Sequence, residues 1–176
     1  MLIAALIIFI LISDVVLILI LRKPAEMHIS RELLISAKPE VIFPHINNSQ
    51  KANAWMPWHA EDPHLKMEFS GPPEGVGSTS SWNSKGRMGT GNAVVTESIS
   101  NKTVKTKLTY VKPMTMSQLA EVSLTAASNG TIVRWSVTGK NNFIGRAMCL
   151  FINMDKMVGG SFEKGLSNLK NIVEAK

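Results

Sequence analysis

The chain has 176 residues, 45% of them hydrophobic, with 19 Lys and Arg against 13 Asp and Glu. This length suits one ordinary domain with a single core, and a lone cysteine, Cys149, excludes an internal disulfide framework. The basic residues are spread along the chain without a dense run or a nucleic-acid-binding motif. The net charge of +6 therefore indicates attraction to anionic lipid headgroups or a solvated basic face, and no nucleic acid partner is expected.

Residues 2–21 form a long apolar run in which Ser13 and Asp14 are the polar positions. At 1.5 Å per residue, this length crosses the ~30 Å hydrocarbon core of a bilayer. Its sixteen Leu, Ile, Val and Phe residues outweigh the cost of about 3 kcal/mol for one carboxylate near mid-bilayer. We therefore predict an uncleaved transmembrane signal anchor over residues 1–22. Asp14 is either tolerated on a lone helix or contacts the helix of a partner.

The residues after this run predict its orientation and a short connection. Arg22 and Lys23 follow the run directly, and no basic residue precedes it, so the positive-inside rule places the remainder in the cytoplasm. We expect a single-pass membrane protein with a linker at 23–28 and a globular domain at 29–176. Fully extended, residues 22–28 reach at most ~23 Å, which keeps the domain close to the headgroups.

Within the domain, the first predicted elements are a strand at 29–36 and two short helices at 39–46 and 49–55. From 65 to 140, apolar and polar residues alternate between turn sequences, which predicts an antiparallel meander with one covered face. Helical spacing of apolar residues then predicts one long helix from 143 to 175, with a bend at Gly159-Gly160.

Several motifs of the domain resemble those of the SRPBCC superfamily, specifically its START-like, polyketide cyclase/dehydrase-like branch. They are PEVIF at 39–43, WMPW at 55–58 with DP at 62–63, GVG at 75–77, GT at 130–131 before Trp135, and FEKGLSNLK at 162–170. The order of elements is likewise that of an α+β helix-grip fold, in which a curved antiparallel sheet wraps around a long C-terminal helix. The resemblance implies a deep apolar cavity between the sheet and this helix.

Ten large or adaptable side chains lie on the segments that would enclose such a cavity. They are Trp55, Phe69, Trp82, Tyr110, Met116, Trp135, Phe143, Met148, Phe151 and Met154. Aromatic and Met residues line ligand cavities, but they also fill solid cores. The leading hypothesis is a membrane-anchored protein that holds a lipid or another hydrophobic small molecule in the cavity without chemistry.

Acid or base candidates for catalysis are few. Glu97, Tyr110 and Asp155 lie on elements that would line the interior. Each has a structural alternative: Glu97 on the wet strand face, Tyr110 as an amphipathic core residue, and Asp155 in an ion pair with Arg146 or Lys156. A cyclase or dehydratase acting on a polyketide-like substrate is therefore the second hypothesis, and a protein-interaction domain with a filled core is the third.

Metal and cofactor motifs are not recognisable. His45, His59 and His64 do not match the spacing of a metal site, and Cys149 lies in an apolar helical context. The glycines of residues 86–91 open into a strand and lack the Lys-Ser/Thr ending of a phosphate-binding loop. We expect no metal and no cofactor.

Overall fold

The computed structural model describes residues 2–86 and 88–175, so Met1, Arg87 and Lys176, which belong to the predicted anchor and domain, lie outside the described residues. The elements in chain order are α1 (Leu2–Arg22), β1 (Glu26–Ile35), α2 (Pro39–Asn47), α3 (Ser49–Trp55), α4 (Trp58–Glu61), β2 (Lys66–Ser70), β3 (Thr79–Asn83), β4 (Thr90–Ile99), β5 (Thr103–Lys112), β6 (Met116–Ala127), β7 (Gly130–Lys140), α5 (Phe143–Met148) and α6 (Met154–Glu174). Helix α1 is long and apolar enough to cross a membrane.

The seven strands form one antiparallel sheet in the order β1-β7-β6-β5-β4-β3-β2. Strands β2 to β7 follow one another as a meander, and β1 closes the sheet beside β7. Register shifts between Thr90 and Gly91 and between Val95 and Glu97 interrupt β4, and such bulges bend a strand. The curved sheet with its long C-terminal helix confirms the predicted α+β helix-grip fold.

The register of the central strands separates a covered inner face from a wet outer face. Val104, Val122 and Trp135 are direct neighbours across β5, β6 and β7, and all three are buried. Lys105 and Lys107 alternate with these positions and point to the other side. The predicted alternation on these strands is therefore confirmed.

Helix α6 packs mainly against β1, with further contacts to α3, α2 and β7, through one stripe of its surface. Its buried residues are Gly159, Phe162, Gly165, Leu166 and Leu169. Their spacing of three and four residues is the spacing that aligns side chains on one helix face. Buried residues of α2 and α3 belong to the same core.

The C-terminal helical segment differs from its prediction in one respect. Helix α6 continues through Gly159 and Gly160, and the chain instead breaks between α5 and α6. Two asparagines begin the two helices: the side chain of Asn142 accepts a hydrogen bond from Gly145 N at 2.8 Å, and that of Asn153 accepts one from Lys156 N at 2.9 Å. Each side chain satisfies an amide that a new helix leaves unpaired.

Strand β1 begins at Glu26, three residues earlier than predicted, because residues 26–28 pair with the end of β7. Only residues 23–25 separate this strand from α1. Asn141 N donates to Ala25 O at 2.8 Å, which fixes this connection to the segment that leads into α5. The domain is therefore joined to α1 more closely than the predicted linker requires.

Candidate functional site

The space between α6 and β7 is filled by an aromatic cluster. The ring of Trp135 stacks on Phe162 with centroids 4.0 Å apart, and the edges of Trp55 and Trp58 meet Trp135 at 5.0 and 6.0 Å. Trp55 is 0% and Trp135 3% exposed. Two of the predicted cavity residues thus form solid core at this place.

Hydrogen bonds join Trp55, the last residue of α3, to two other helices. The indole Nε1 of Trp55 donates to His45 O in α2 at 2.9 Å. The side chain of Asn168 in α6 donates to Trp55 O at 3.1 Å. The end of α3 is therefore held between α2 and α6, and the Trp55 ring is fixed against the sheet.

A second aromatic pair lies on the inner face towards the other edge of the sheet. Trp82 in β3 and Tyr110 in β5 meet edge to face with centroids 5.2 Å apart. Gly91 of β4 lies between their strands, and a side chain there would collide with the Trp82 ring. Tyr110 is a direct neighbour of Met116 in β6, and burial raises the pKa of its phenol. Three predicted cavity residues are brought together here.

The surroundings of this pair are less completely covered than the Trp135 cluster. Tyr110, Met116 and Leu108 are half-buried, as is Phe69 on the edge strand β2. Helix α6 packs mainly on β1, at the opposite edge of the sheet. The inner face at the end of β5 and the start of β6 is therefore less covered than the Trp135 cluster.

The remaining predicted cavity residues lie in the C-terminal segment. Met154 is half-buried and packs against the core, in the first turn of α6. Phe143, Met148 and Phe151 are exposed to solvent, and Phe151 is 89% exposed. These three side chains face outwards instead of lining an enclosed space, because α5 packs against α1 and does not lie across the sheet as α6 does.

Two of the three acid or base candidates are engaged in ion pairs. Glu97 contacts Lys105 Nζ at 3.0 Å on the outer face of the sheet, so it does not line the interior. Asp155 contacts neither Arg146 nor Lys156 and instead binds Arg31 through both carboxylate oxygens, at 2.9 and 3.0 Å. The Arg31 guanidinium holds the pKa of Asp155 below its usual range. Both carboxylates are thus poor candidates for proton transfer to a bound substrate.

Arg31 is the site residue that the sequence analysis missed. It shares the inner face of β1 with Ile29 and Leu33, and it lies opposite Trp135 in the neighbouring strand. Its Nε donates to Glu163 Oε1 at 2.7 Å, so the guanidinium is held by two carboxylates of α6. The absence of a side chain at Gly159 leaves room for this guanidinium, and a Cβ there would collide with it. The sequence signal that could have identified Arg31 is the alternation along β1, which puts it on the same face as Ile29 and Leu33.

The three histidines are dispersed, and among the residues that the structure describes no group of three metal-ligating side chains occurs. Burial and the nearby Lys51 lower the pKa of His45. The His59 ring lies 3.2 Å from Asn53 Nδ2, and His64 N donates to Asp62 Oδ1 at 3.0 Å.

Two open recesses lie on the surface of the domain. One, of about 670 Å³, lies on the outer face of the sheet and is lined by His28, Ser30, Arg31, Glu32, Glu121, Ser123, Arg134 and Ser136. The other, of about 430 Å³, lies at the start of β2 and includes Lys66 and Lys85. The ion pair of Arg134 with Glu32, 2.7 Å apart, makes the first recess unsuited to an apolar ligand.

Known proteins share this architecture. A protein from Chromobacterium violaceum superposes with a TM-score of 0.60 at 13% identity, covering 86% of this chain and 98% of that one. The Aha1 protein of Colwellia psychrerythraea, solved as a dimer, gives 0.55 at 25% identity, covering 84% and 96%. The di-domain ARO/CYC StfQ of the steffimycin biosynthetic pathway gives 0.62 at 9% identity, covering 86% and 52%. At such low identities the likenesses to the first and third show the fold alone.

The sequence itself matches a family model over almost the entire domain. No curated protein matches the chain. The model described as polyketide cyclase/dehydrase and lipid transport matches residues 26–174, from the first residue of β1 to the last of α6. This range also contains all the motifs that resemble the SRPBCC superfamily. The chain therefore belongs to the polyketide cyclase/dehydrase and lipid transport family, as its motifs predicted.

Proposed function

We propose that this chain is a membrane-anchored protein that binds a lipid or another apolar small molecule on the inner face of the sheet, without catalysing a reaction. The observation that carries the proposal is the contrast between the two sides of this face. Next to β1 and β7 it is filled by α6 and the Trp135 cluster. At the end of β5 and the start of β6, the side chains of Leu108, Tyr110 and Met116 are only half-buried.

The composition of this half-buried surface suits an apolar ligand. Leu108, Tyr110 and Met116 supply apolar area, and the thioether of Met116 can adapt to different shapes. The Tyr110 hydroxyl and the amide of Gln118 are the polar groups that could orient a ligand, since Gln118 lies opposite Leu108 on the same face. A mainly apolar wall with a few polar groups is the usual lining of a small-molecule site.

The surface of α1 supports the anchoring part of the proposal. Its large hydrophobic side chains that the structure describes are exposed all around the helix, with Ile20 as the buried one. A helix that is apolar on every side and uncovered by protein requires a lipid environment. Arg22 and Lys23, which follow α1, favour the cytoplasmic side for the domain.

The environment of the ionisable groups favours binding over cyclase or dehydratase chemistry. Glu97 lies on the outer face and Asp155 is paired with Arg31. Tyr110 remains on the inner face, and its raised pKa keeps the phenol protonated. Hydrogen bonding to a ligand is therefore the role that we assign to Tyr110.

The proposal is tested by native mass spectrometry of the detergent-solubilised full chain, followed by extraction of any bound compound. We expect a stoichiometric added mass that belongs to an apolar molecule. Met116→Trp, which fills the inner face, should abolish this mass. The matched variant Leu119→Trp lies on the same strand but on the outer face, where Leu119 is exposed, and should retain it.

Lipids that merely surround α1 would be carried equally by the two variants, so the difference between them isolates the site on the sheet. Equal occupancy in Met116→Trp and Leu119→Trp, or a protein without any added mass, would contradict the proposal. A compound that is chemically altered during incubation with the chain would instead favour the cyclase-type alternative.

A further inference from the structure

An apolar surface remains outside the core in the C-terminal segment. It is formed by six of the fifteen residues from 143 to 157, each 37 to 89% exposed: Phe143, Ile144, Met148, Phe151, Ile152 and Met157. We refer to these six side chains as the α5–α6 surface. Single exposed apolar side chains are ordinary, but a group of this size in one short segment indicates a contact with another apolar phase or partner.

This surface begins where α1 meets the domain. Helix α5 packs against α1, and Ile20 near the end of α1 is 7% exposed. The side chain of Asn141 donates to Pro24 O at 3.4 Å, and its backbone N donates to Ala25 O at 2.8 Å. The α5–α6 surface is therefore fixed beside the end of the proposed membrane span.

Basic residues surround the same end of the domain. Lys66 begins β2, and Lys112 and Lys140 end β5 and β7. All three lie at the end of the strands where α1 leads into β1, which we refer to as the lysine edge. Lys85 follows β3 at this edge, and Arg22 and Lys23 end α1 itself. Basic residues close to an anionic bilayer are attracted to its surface.

We infer that the α5–α6 surface and this lysine edge dock onto the anionic bilayer in which α1 is inserted, an inference that rests on the proposed anchoring. Apolar side chains of an interfacial segment enter the boundary between headgroups and acyl chains by ~5–10 Å, while flanking lysines bind lipid phosphates. Continuity with α1 and the positive edge both favour a bilayer over a protein partner. The domain is then held at two places, and its orientation to the membrane is fixed.

The depth of this segment can be measured by electron paramagnetic resonance on the full chain in vesicles of phosphatidylcholine and phosphatidylglycerol. With Cys149→Ser as background, a spin label is placed at 151 through Phe151→Cys. Labels through Ile10→Cys in α1 and Val76→Cys in the 71–78 turn are the references. Val76 is an exposed apolar residue at the opposite end of the strands from the lysine edge.

The quantity compared is the ratio of oxygen collisions to collisions with a water-soluble nickel chelate. We expect this ratio to be several-fold higher for the label at 151 than for the label at 76. This ratio should fall in vesicles of phosphatidylcholine alone and in the double variant Lys112→Glu/Lys140→Glu. A label at 151 that matches the label at 76 would overturn the inference, as would spin–spin broadening at 151, which would identify a second copy on this surface. An aqueous signal at 10 would refute the anchoring itself.

Discussion

The two halves of the C-terminal segment are both rich in apolar residues, yet they occupy opposite environments. In the second half, Phe162, Leu166 and Leu169 are at most 4% exposed against β1, β7 and the helices α2 and α3. In the first half, Phe151 is 89% exposed. The difference lies in contact with the sheet, because α6 lies across it and α5 does not. Apolar spacing therefore identifies side chains that avoid water, but it does not identify the phase that receives them.

The largest expected effect separates the two halves by stability. Trp135→Ala removes the ring that stacks on Phe162 and meets Trp55, so we expect a loss of about 3–5 kcal/mol in the free energy of unfolding. Phe151→Ala should change this free energy by less than about 0.5 kcal/mol. Chemical denaturation followed by near-ultraviolet circular dichroism measures both, and comparable losses would contradict the division into core and exposed halves.

Two glycines of α6 test the same comparison through the addition of a single methyl group. A Cβ at Gly165 would lie 2.7 Å from the Trp135 ring, so Gly165→Ala should cost about 1–3 kcal/mol through overpacking. Gly160→Ala meets no neighbour within 4 Å and should stabilise the helix by up to about 1 kcal/mol. The same unfolding measurement reports both signs, and destabilisation by Gly160→Ala would show that its side of α6 is covered.

The inner face of the sheet was predictable because pleating imposes a period of two on every strand. Val104, Val122 and Trp135 were identified by that period alone, and their burial follows from the register. Which apolar residues line a site was less predictable. Trp135 lies in a packed cluster and Met116 on a half-buried surface, and the sequence patterns around them do not distinguish these places.

Arg31 and the break after α5 depend on distant or local contacts that composition does not reveal. Arg31 lies on a covered face because Asp155 and Glu163, 124 and 132 residues away, supply its charge partners. The break before α6 depends on the Asn153 cap, and an asparagine in an apolar segment is compatible with both a continued and an interrupted helix. The family resemblance supplied the long C-terminal helix but not its starting residue.

A smaller effect is expected at Gly159, near the start of α6, where the Arg31 guanidinium lies. Gly159→Ala should displace the Arg31 guanidinium, which a Cβ would contact, and should thereby raise the pKa of Asp155 towards its ordinary value. Nuclear magnetic resonance titration of the Asp155 carboxyl measures this shift. Gly160→Ala is the matched control and should leave this pKa unchanged. An unchanged pKa in Gly159→Ala would mean that the ion pair does not depend on the space above Gly159.

The smallest expected effect is a dependence of the start of α6 on acid pH. Arg31 lowers the pKa of Asp155 in the folded chain, so their pairing stabilises the fold above the ordinary aspartate pKa and is lost as the pH falls through the lowered value. Glu163 is the second partner of Arg31. Both carboxyl side chains are 64% exposed, so solvent screening limits the gain and the fold as a whole should persist. Hydrogen exchange at the first turns of α6 should accelerate as the pH falls below about 4, the ordinary aspartate pKa, beyond the intrinsic pH dependence of exchange. Arg31→Met should remove this acceleration while leaving exchange at Leu169 unaffected. Equal acceleration in the variant would place the cause elsewhere than in the ion pairs that join the start of α6 to β1.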